Sequence, residues 1–271
     1  MLERNLRAMA LCLLLPGLAF GRLSQTRAEE LPDAPEPQSQ SPAPGPEAVK
    51  VRDLPLNIAK DQAAIWTSPV RLREGDLKWL IPLGLATAVA ITADHQAMSS
   101  GVSHDPGFNH KNVLASDVLT GILVAAPVGL FGKGELEKDS DARESGILGG
   151  EALVDGAIAE EGLRIIFLRE RPTVDNAKGR FFQTKVGFDS SFPSLHSVVS
   201  WASAGVLGAE YPSGWQPIAI YTLATGVSLT RVLGQEHFPS DVIVGSAVGY
   251  LVGRYVFHKH HRPSPDDSFI Q

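Results

Sequence analysis

The 271-residue sequence predicts an all-α fold with a bundle of six core helices. Segments rich in Ala, Leu, Val and Gly recur at helical length, and none alternates apolar and polar residues as strands do. Pro172, Pro212 and Pro217 lie at segment boundaries, where prolines are compatible with helix ends. An upstream segment, 57–79, predicts one or two amphipathic helices. The six core segments are 79–93, 118–132, 147–168, 194–209, 215–229 and 242–256.

The first 21 residues have the pattern of a secretory signal peptide. Arg4 and Arg7 form a basic start, and residues 8–20 are apolar. The AFG of residues 19–21 offers small residues for cleavage, with a second candidate site after Ala28. The apolar run is too short to span a bilayer comfortably. The pattern predicts an exported protein, periplasmic or membrane-associated and facing the periplasm, and an uncleaved anchoring helix is the alternative.

Composition divides the rest of the chain into three parts. Residues 29–50 are rich in Pro, Ser, Gln and Glu, which predicts a disordered tether. Residues 51–258 are long enough for one domain with its own core, and residues 259–271 predict a disordered tail with solvated histidines. The one cysteine, Cys12, would leave with the signal peptide. A net charge of −6 without a basic run argues against a nucleic-acid partner.

The sequence leaves open whether the bundle lies in water or in lipid. Most apolar runs have about 15 residues, fewer than the roughly 20 that a membrane-spanning helix needs. Segment 147–168 also contains acidic residues that are costly in lipid. A soluble or peripherally attached bundle is therefore favoured. An integral membrane bundle is the alternative, because Gly-rich and Ala-rich helices also occur in membrane enzymes.

Three polar patches lie at predicted helix boundaries, and the first is RIIFLRERP, residues 164–172. Arg164 and Arg171 are seven residues apart. Two helical turns separate the arginines and put them on one face, so both can reach the same anion, and Pro172 then ends the helix. Two solvated surface arginines are the alternative.

The second patch is PSLH, residues 193–196, immediately before an apolar segment. Ser194 is placed as a helix N-cap, and the free N–H groups of the first turn form an anion site. His196 falls in that first turn. A simple cap followed by a partly buried histidine is the alternative.

The third patch is TRVLGQEHFPSD, residues 230–241, which contains Arg231, His237 and Asp241. If a helix begins near Pro239, the Asp241 carboxylate can face the imidazole of His237. A carboxylate on one ring nitrogen fixes the tautomer and leaves the other nitrogen as a nucleophile. A structural His–Asp contact at a helix start is the alternative.

Taken in order, the three patches resemble the motifs of the type-2 phosphatidic acid phosphatase and vanadium haloperoxidase superfamily. The family pattern is Lys-x6-Arg-Pro, then Pro-Ser-Gly-His, then Ser-Arg-x5-His-x3-Asp. The resemblance covers residues 160–255 and implies the six-helix core of that family.

The resemblance also implies a role for each matched residue. His237 would attack phosphorus and form a phosphohistidine, Asp241 would orient it, and His196 would protonate the leaving alcohol and then activate water. No metal or other cofactor is implied, because arginines would offset the phosphate charge. The phosphate-binding residues would be Arg164, Arg171, Ser194, Leu195 and Arg231.

Leu195 is the most important departure from the family pattern, which has Gly there. A leucine could crowd the phosphate or require different backbone angles, although its N–H is retained. We therefore expect reduced or narrowed activity rather than loss. Arg164 in place of Lys keeps the positive charge but replaces a compact ammonium with a planar guanidinium.

The sequence thus predicts a phosphoric monoester hydrolase that acts on a phosphomonoester or diphosphate, carried by a lipid or by a small ester. One alternative is a catalytically impaired member that binds anions or headgroups. A vanadate-dependent haloperoxidase is a less favoured one. The substrate and the oligomeric state remain open.

Overall fold

A computed structural model describes residues 50–262 and confirms the all-α fold class. Within these residues there are seven α-helices joined by short helical turns and loops, and no strand. The predicted signal peptide, most of the tether and the last residues of the tail lie outside this part. The helices are α1 (Leu54–Thr67), α2 (Glu74–Gln96), α3 (Pro106–Glu137), α4 (Ser140–Phe167), α5 (Leu195–Glu210), α6 (Gln216–Leu233) and α7 (Pro239–His260).

Helices α2 and α3 are longer than the apolar runs that predicted them, at 23 and 32 residues. Polar caps extend both helices beyond their apolar segments. Asp76 accepts a hydrogen bond from the backbone N–H of Arg73 at 2.8 Å, and Asp105 accepts one from Phe108 at 2.7 Å. Such bonds satisfy amide groups that a helix start leaves free.

The contact between α5 and α7 brings two of the predicted motifs together. Glycines at 245, 249 and 253 give α7 a face without side chains. A Cβ atom on Gly249 would lie 2.1 Å from the carbonyl oxygen of Val198, so the two backbones touch directly. At the adjoining helix starts, the Ser194 N–H donates to the Asp241 carbonyl at 3.3 Å. This packing holds the PSLH motif beside the third motif.

Two of the three apolar clusters in the described residues join the helices of the bundle. One joins α4, α5 and α7, and the other joins α3, α5 and α6. Helix α5 belongs to both clusters, which explains why ten of its 16 residues are buried and none is exposed. Members of the first cluster are Leu148, Ala152, Ala202, Val206, Val252, Val256 and Phe257, and those of the second are Leu123, Ala204, Ala224 and Val227.

Helices α2 and α3 are each long and apolar enough to cross a membrane. The most apolar window of α2 has a mean hydropathy of 1.3 and is 0% buried, and that of α3 has 1.9 and is 17% buried. Trp79 on α2 and Val128 on α3 are 73% and 71% exposed. Large exposed apolar surfaces mark contacts with other molecules or with lipid. These surfaces suggest membrane association, which is part of both the predicted peripheral attachment and the alternative of an integral membrane bundle.

Helix α7 ends later than the domain boundary predicted at residue 258. It continues to His260, whose Nε2 lies 2.9 Å from Asp61 Oδ2. His261 Nδ1 lies 3.1 Å from Glu144 Oε1. For residues 259–262 the prediction of a solvated tail is wrong, because acidic groups of the core hold these side chains.

Candidate active site

The first motif does not lie on a single helix face. Helix α4 ends at Phe167, and Leu168 takes a left-handed conformation with φ 41°, so the chain leaves the helix before Arg171. The predicted common helical face of Arg164 and Arg171 is therefore wrong. Arg164 remains on α4 and donates to Glu160 at 2.6 Å, whereas Arg171 lies in the loop that follows.

Arg169, between these two arginines, turns into the core and is 2% exposed. Its guanidinium lies 2.7 Å from Asp94 Oδ2 of α2 and 2.5 Å from Asp241 Oδ1 of α7. The rings of Phe181 and Phe238 lie within 4.5 Å of it. Sequence reasoning missed this residue, because its spacing alone does not distinguish a buried arginine from a solvated one.

Ser194 caps helix α5, as predicted. Its side chain accepts from the N–H of Ser197, and α5 begins at the next residue, Leu195. His196 follows in the first turn. Leu195 does not have a positive φ, so replacing the family glycine requires no left-handed backbone here. Leu195 therefore does not need unusual backbone angles. The other expected effect, crowding of the phosphate by the leucine side chain, stays a prediction.

His237 is buried, at 2% exposed, immediately before α7. Its Nδ1 lies 2.7 Å from the carbonyl oxygen of Ser191. A carbonyl only accepts, so Nδ1 has the proton and Nε2 has the free lone pair. This is the tautomer that a nucleophile at Nε2 requires.

Asp241 contributes to this arrangement less directly than predicted. Helix α7 begins at Pro239, as expected, but Asp241 Oδ2 lies 3.7 Å from Nδ1 of His237 and accepts from the backbone N–H of Phe238 at 2.9 Å. The Ser191 carbonyl is therefore the closer partner of the imidazole. Burial lowers the pKa of His237, with Asp241 opposing this effect. The imidazole is thus neutral at neutral pH.

His196 pairs with an acidic residue of α3 that lies outside the predicted motifs. Its Nε2 is 3.2 Å from Asp117 Oδ1. Burial, followed by the charge of Arg231, lowers the pKa of His196 to about 4, and Asp117 acts in the opposite direction. Asp117 was not identified from the sequence because a lone carboxylate at the edge of an apolar segment is typical of a helix start.

Arg171 and Arg231 converge on one carboxylate oxygen. Oε2 of Glu236 accepts from Arg171 Nη1 and from Arg231 Nη2, both at 3.2 Å. Arg231 Nη1 also lies 3.5 Å from Asp117 Oδ1. The two motif arginines therefore define an anion position directly beside His237, whose neighbour in the chain is Glu236.

The residues of this candidate site lie in a part of the chain that matches a known protein family. Residues 147–264 match the family model described as the PAP2 superfamily. The match covers less than half of the chain, and over these residues the chain is similar to the PAP2 superfamily. All eight predicted site residues fall within the match. Asp94 and Asp117, which contact site residues, precede the PAP2 match and lie on α2 and α3.

A curated relative is the lipid A 1-phosphatase of Porphyromonas gingivalis. It is 39% identical over 66 residues, which are 24% of this chain and 15% of that protein. The match thus spans less than a sixth of the relative's length. No solved structure matches the chain significantly.

Proposed function

We propose that this protein is a phosphatase of the PAP2 type that hydrolyses a phosphomonoester or diphosphate on a lipid, through a phosphohistidine intermediate at His237. The main observation is the buried imidazole, whose Nδ1 proton is held by Ser191 and whose Nε2 is free to attack. The two arginines that converge beside it supply the anion position.

In the first step, Nε2 of His237 forms a bond to phosphorus as the bond to the leaving oxygen breaks. Arg171, Arg231 and the N-terminus of α5 after Ser194 offset the charge on the phosphoryl oxygens. His196 gives its proton to the leaving oxygen. The pKa of His196 is about 4 in the empty site, and the charge of a bound phosphate would raise it.

In the second step, water attacks the phosphohistidine while His196 accepts its proton. The bond between phosphorus and Nε2 breaks, which releases phosphate and restores the neutral imidazole. Asp241, held in place by Arg169, stabilises the positive charge that His237 develops in both steps. Arginines supply the charge that a divalent ion supplies elsewhere, so we expect hydrolysis to proceed without added metal.

Two observations support a lipid as the substrate. Helices α2 and α3 expose apolar surfaces suited to a bilayer, and their inner faces supply Asp94 and Asp117 to the site. A cavity of about 620 Å³ adjoins Arg171 and is lined by both charged and apolar side chains, among them Lys185 and Phe182. The relative's name, lipid A 1-phosphatase, agrees with a phosphorylated lipid. Together with the signal-like start of the chain, these observations support our proposal that the activity faces the periplasmic side of a membrane.

Phosphate release by the purified full chain in detergent tests this proposal. Wild type and His237→Ala are compared in the presence of a chelator, on a dispersed lipid phosphate and on a water-soluble aryl phosphate. We expect chelator-resistant release, faster on the lipid and abolished in the variant. His258→Ala, at an exposed histidine of α7, is the control and should retain activity. A phosphoryl group trapped on wild type and stable to base would support the intermediate.

Three results would contradict the proposal. Unchanged activity in His237→Ala would exclude this nucleophile. Absence of release from either substrate by folded protein would favour a non-catalytic, anion-binding member, with Leu195 as the cause. Oxidation of a halide in the presence of vanadate and peroxide, without phosphate release, would favour a haloperoxidase.

A further inference from the structure

A second cluster of polar side chains lies near the far end of α7. Asp61 of α1, Glu151 of α4 and His260 each offer one donor atom, and these atoms lie within 4.8 Å of one another. Helix α7 has 22 residues, so at about 1.5 Å per residue the cluster is roughly 30 Å from His237. It is therefore separate from the proposed phosphatase site.

Glu151 is the unusual member of this cluster. Its side chain is fully buried, and neither carboxylate oxygen has a hydrogen-bond partner among the described residues. The Asn57 side chain approaches it without reaching hydrogen-bond geometry. A buried carboxylate without donors is costly, because it has lost its hydration without replacement. Oε1 faces His260 Nε2 at 3.6 Å, so the unsatisfied group points into the cluster.

We propose that Asp61, Glu151 and His260 bind one divalent transition-metal ion, with Zn²⁺ as the best match. His260 Nε2 lies 2.9 Å from Asp61 Oδ2 and 3.6 Å from Glu151 Oε1. Ligands at about 2.0–2.2 Å from a tetrahedral zinc ion are roughly 3.4 Å apart. The observed separations lie on both sides of that value, so small side-chain movements complete the site.

The donor types favour zinc over magnesium or calcium. An imidazole nitrogen with carboxylate oxygens is typical of zinc sites, whereas magnesium and calcium prefer oxygen donors alone. Asp155 lies one turn beyond Glu151, and its Oδ2 is also buried without a partner. Gln62 holds its other oxygen at 2.8 Å. Asp155 thus adds negative charge near Asp61 and Glu151 and is a candidate for a fourth ligand.

Lys259 does not fill the proposed metal position. Its ammonium contacts Oδ1 of Asp61 and lies 2.6 Å from the Tyr255 hydroxyl, whereas His260 faces Oδ2. The lysine side chain is 36% exposed and can turn towards solvent. One cation therefore already offsets part of the carboxylate charge on one side of Asp61. The other side, with Glu151, remains available to an ion.

The consequence of this site is structural. Its three ligands come from α1, from α4 and from the end of α7, so a bound ion would fasten the first described helix to the core. We expect the ion to raise the unfolding temperature and to leave phosphoryl transfer unchanged. The inference does not depend on the proposed phosphatase activity, which requires no metal.

Metal binding is measured on the full chain, purified with a tag that lacks histidine and stripped with a chelator. Zn²⁺, Mn²⁺ and Mg²⁺ are added separately, and bound metal per chain and the unfolding midpoint are determined. We expect one Zn²⁺ per chain and a higher midpoint. Glu151→Gln, which keeps the side-chain shape, should lower the affinity for Zn²⁺ at least tenfold. His258→Ala is the control and should bind as wild type does.

Some results would overturn the proposal. These are binding below one ion per chain, binding unaffected by Glu151→Gln, and binding lost in His258→Ala, which would indicate a surface histidine site. If Glu151→Gln does not fold, His260→Gln at the partly exposed ligand replaces it, with the same expected loss. Co²⁺ added to wild type should give the visible spectrum of a tetrahedral ion, and an octahedral spectrum would count against the site.

Discussion

The carboxylate of Glu236 lies 3.2 Å from the guanidinium of Arg171, where the proposed mechanism requires a phosphoryl oxygen. The same oxygen is 3.2 Å from Arg231. The site thus contains an anion of its own, supplied by the residue next to His237. A substrate phosphate must displace this carboxylate before the two arginines can bind it.

Glu236→Gln should strengthen phosphate binding. The amide has no charge to compete for the arginines, so we expect the inhibition constant for inorganic phosphate to fall about tenfold, which corresponds to roughly 1.4 kcal/mol. The measurement is inhibition of phosphate release by inorganic phosphate. Asp189→Asn, at an exposed partner of Arg171, is the matched control and should have a smaller effect. An unchanged or weaker inhibition would show that Glu236 does not occupy the anion position.

Asp117→Asn should impair the protonation of His196. Asp117 opposes the burial that lowers the pKa of this histidine to about 4, so its loss lowers that pKa further. The alkaline limb of kcat/KM, which reports loss of the proton from the general acid, should move to lower pH, with about a tenfold loss of rate. Asp105→Asn on the same helix still caps α3 and serves as the control. A pH profile identical to that of wild type would contradict this role.

Gly249→Ala should destabilise the fold and separate the two catalytic histidines. Its Cβ would lie 2.1 Å from the Val198 carbonyl, so α5 and α7 must move apart. We expect a loss of about 3 kcal/mol in the free energy of unfolding, with loss of phosphate release. Gly150→Ala on α4, where a Cβ meets no atom within 4 Å, should be neutral or slightly stabilising. Equal unfolding curves for both variants would refute close α5–α7 packing.

Glu160 should make stability depend on pH. Burial raises its pKa from 4.5 to about 7, with Arg164 opposing the shift, so the folded state favours the protonated form. The contribution of Glu160 to the free energy of unfolding is complete below about pH 4.5 and is lost as the pH rises through about 7. Glu160→Gln should therefore reduce the fall in unfolding free energy across this window, by on the order of 1–3 kcal/mol. Glu161→Gln, at the more exposed neighbour, is the control and should leave the slope intact.

Local signals in the sequence predicted the parts of the site that depend on local structure. The cap at Ser194 and the start of α7 at Pro239 are confirmed, because N-cap and proline preferences act within one helical turn. The end of α4 at Phe167 agrees with the predicted segment 147–168, whereas the continuation to Pro172 that the arginine pair required is wrong. No glycine marks the left-handed Leu168, and hydrogen bonds to the later segment 182–191 determine where the chain turns.

The missed residues depend on tertiary contacts. Asp94 and Asp117 come from α2 and α3, far from the motifs in sequence, and only the packed bundle brings them to Arg169 and His196. The roles of the motif residues themselves remain proposals. Their order and spacing predicted the family, whereas the partner of each side chain required the structure.

The contact of Arg169 with both Asp94 and Asp241 has a mechanical consequence. Asp94 lies near the end of α2, whose apolar surface is exposed, and it also accepts from the backbone N–H of Ser240 at 3.1 Å. A bilayer thinner or thicker than the apolar length of α2 changes the tilt of such a helix. One guanidinium would transmit that tilt to the carboxylate beside the nucleophile. We therefore expect turnover to vary with the acyl-chain length of the surrounding lipid, even when the substrate itself is unchanged.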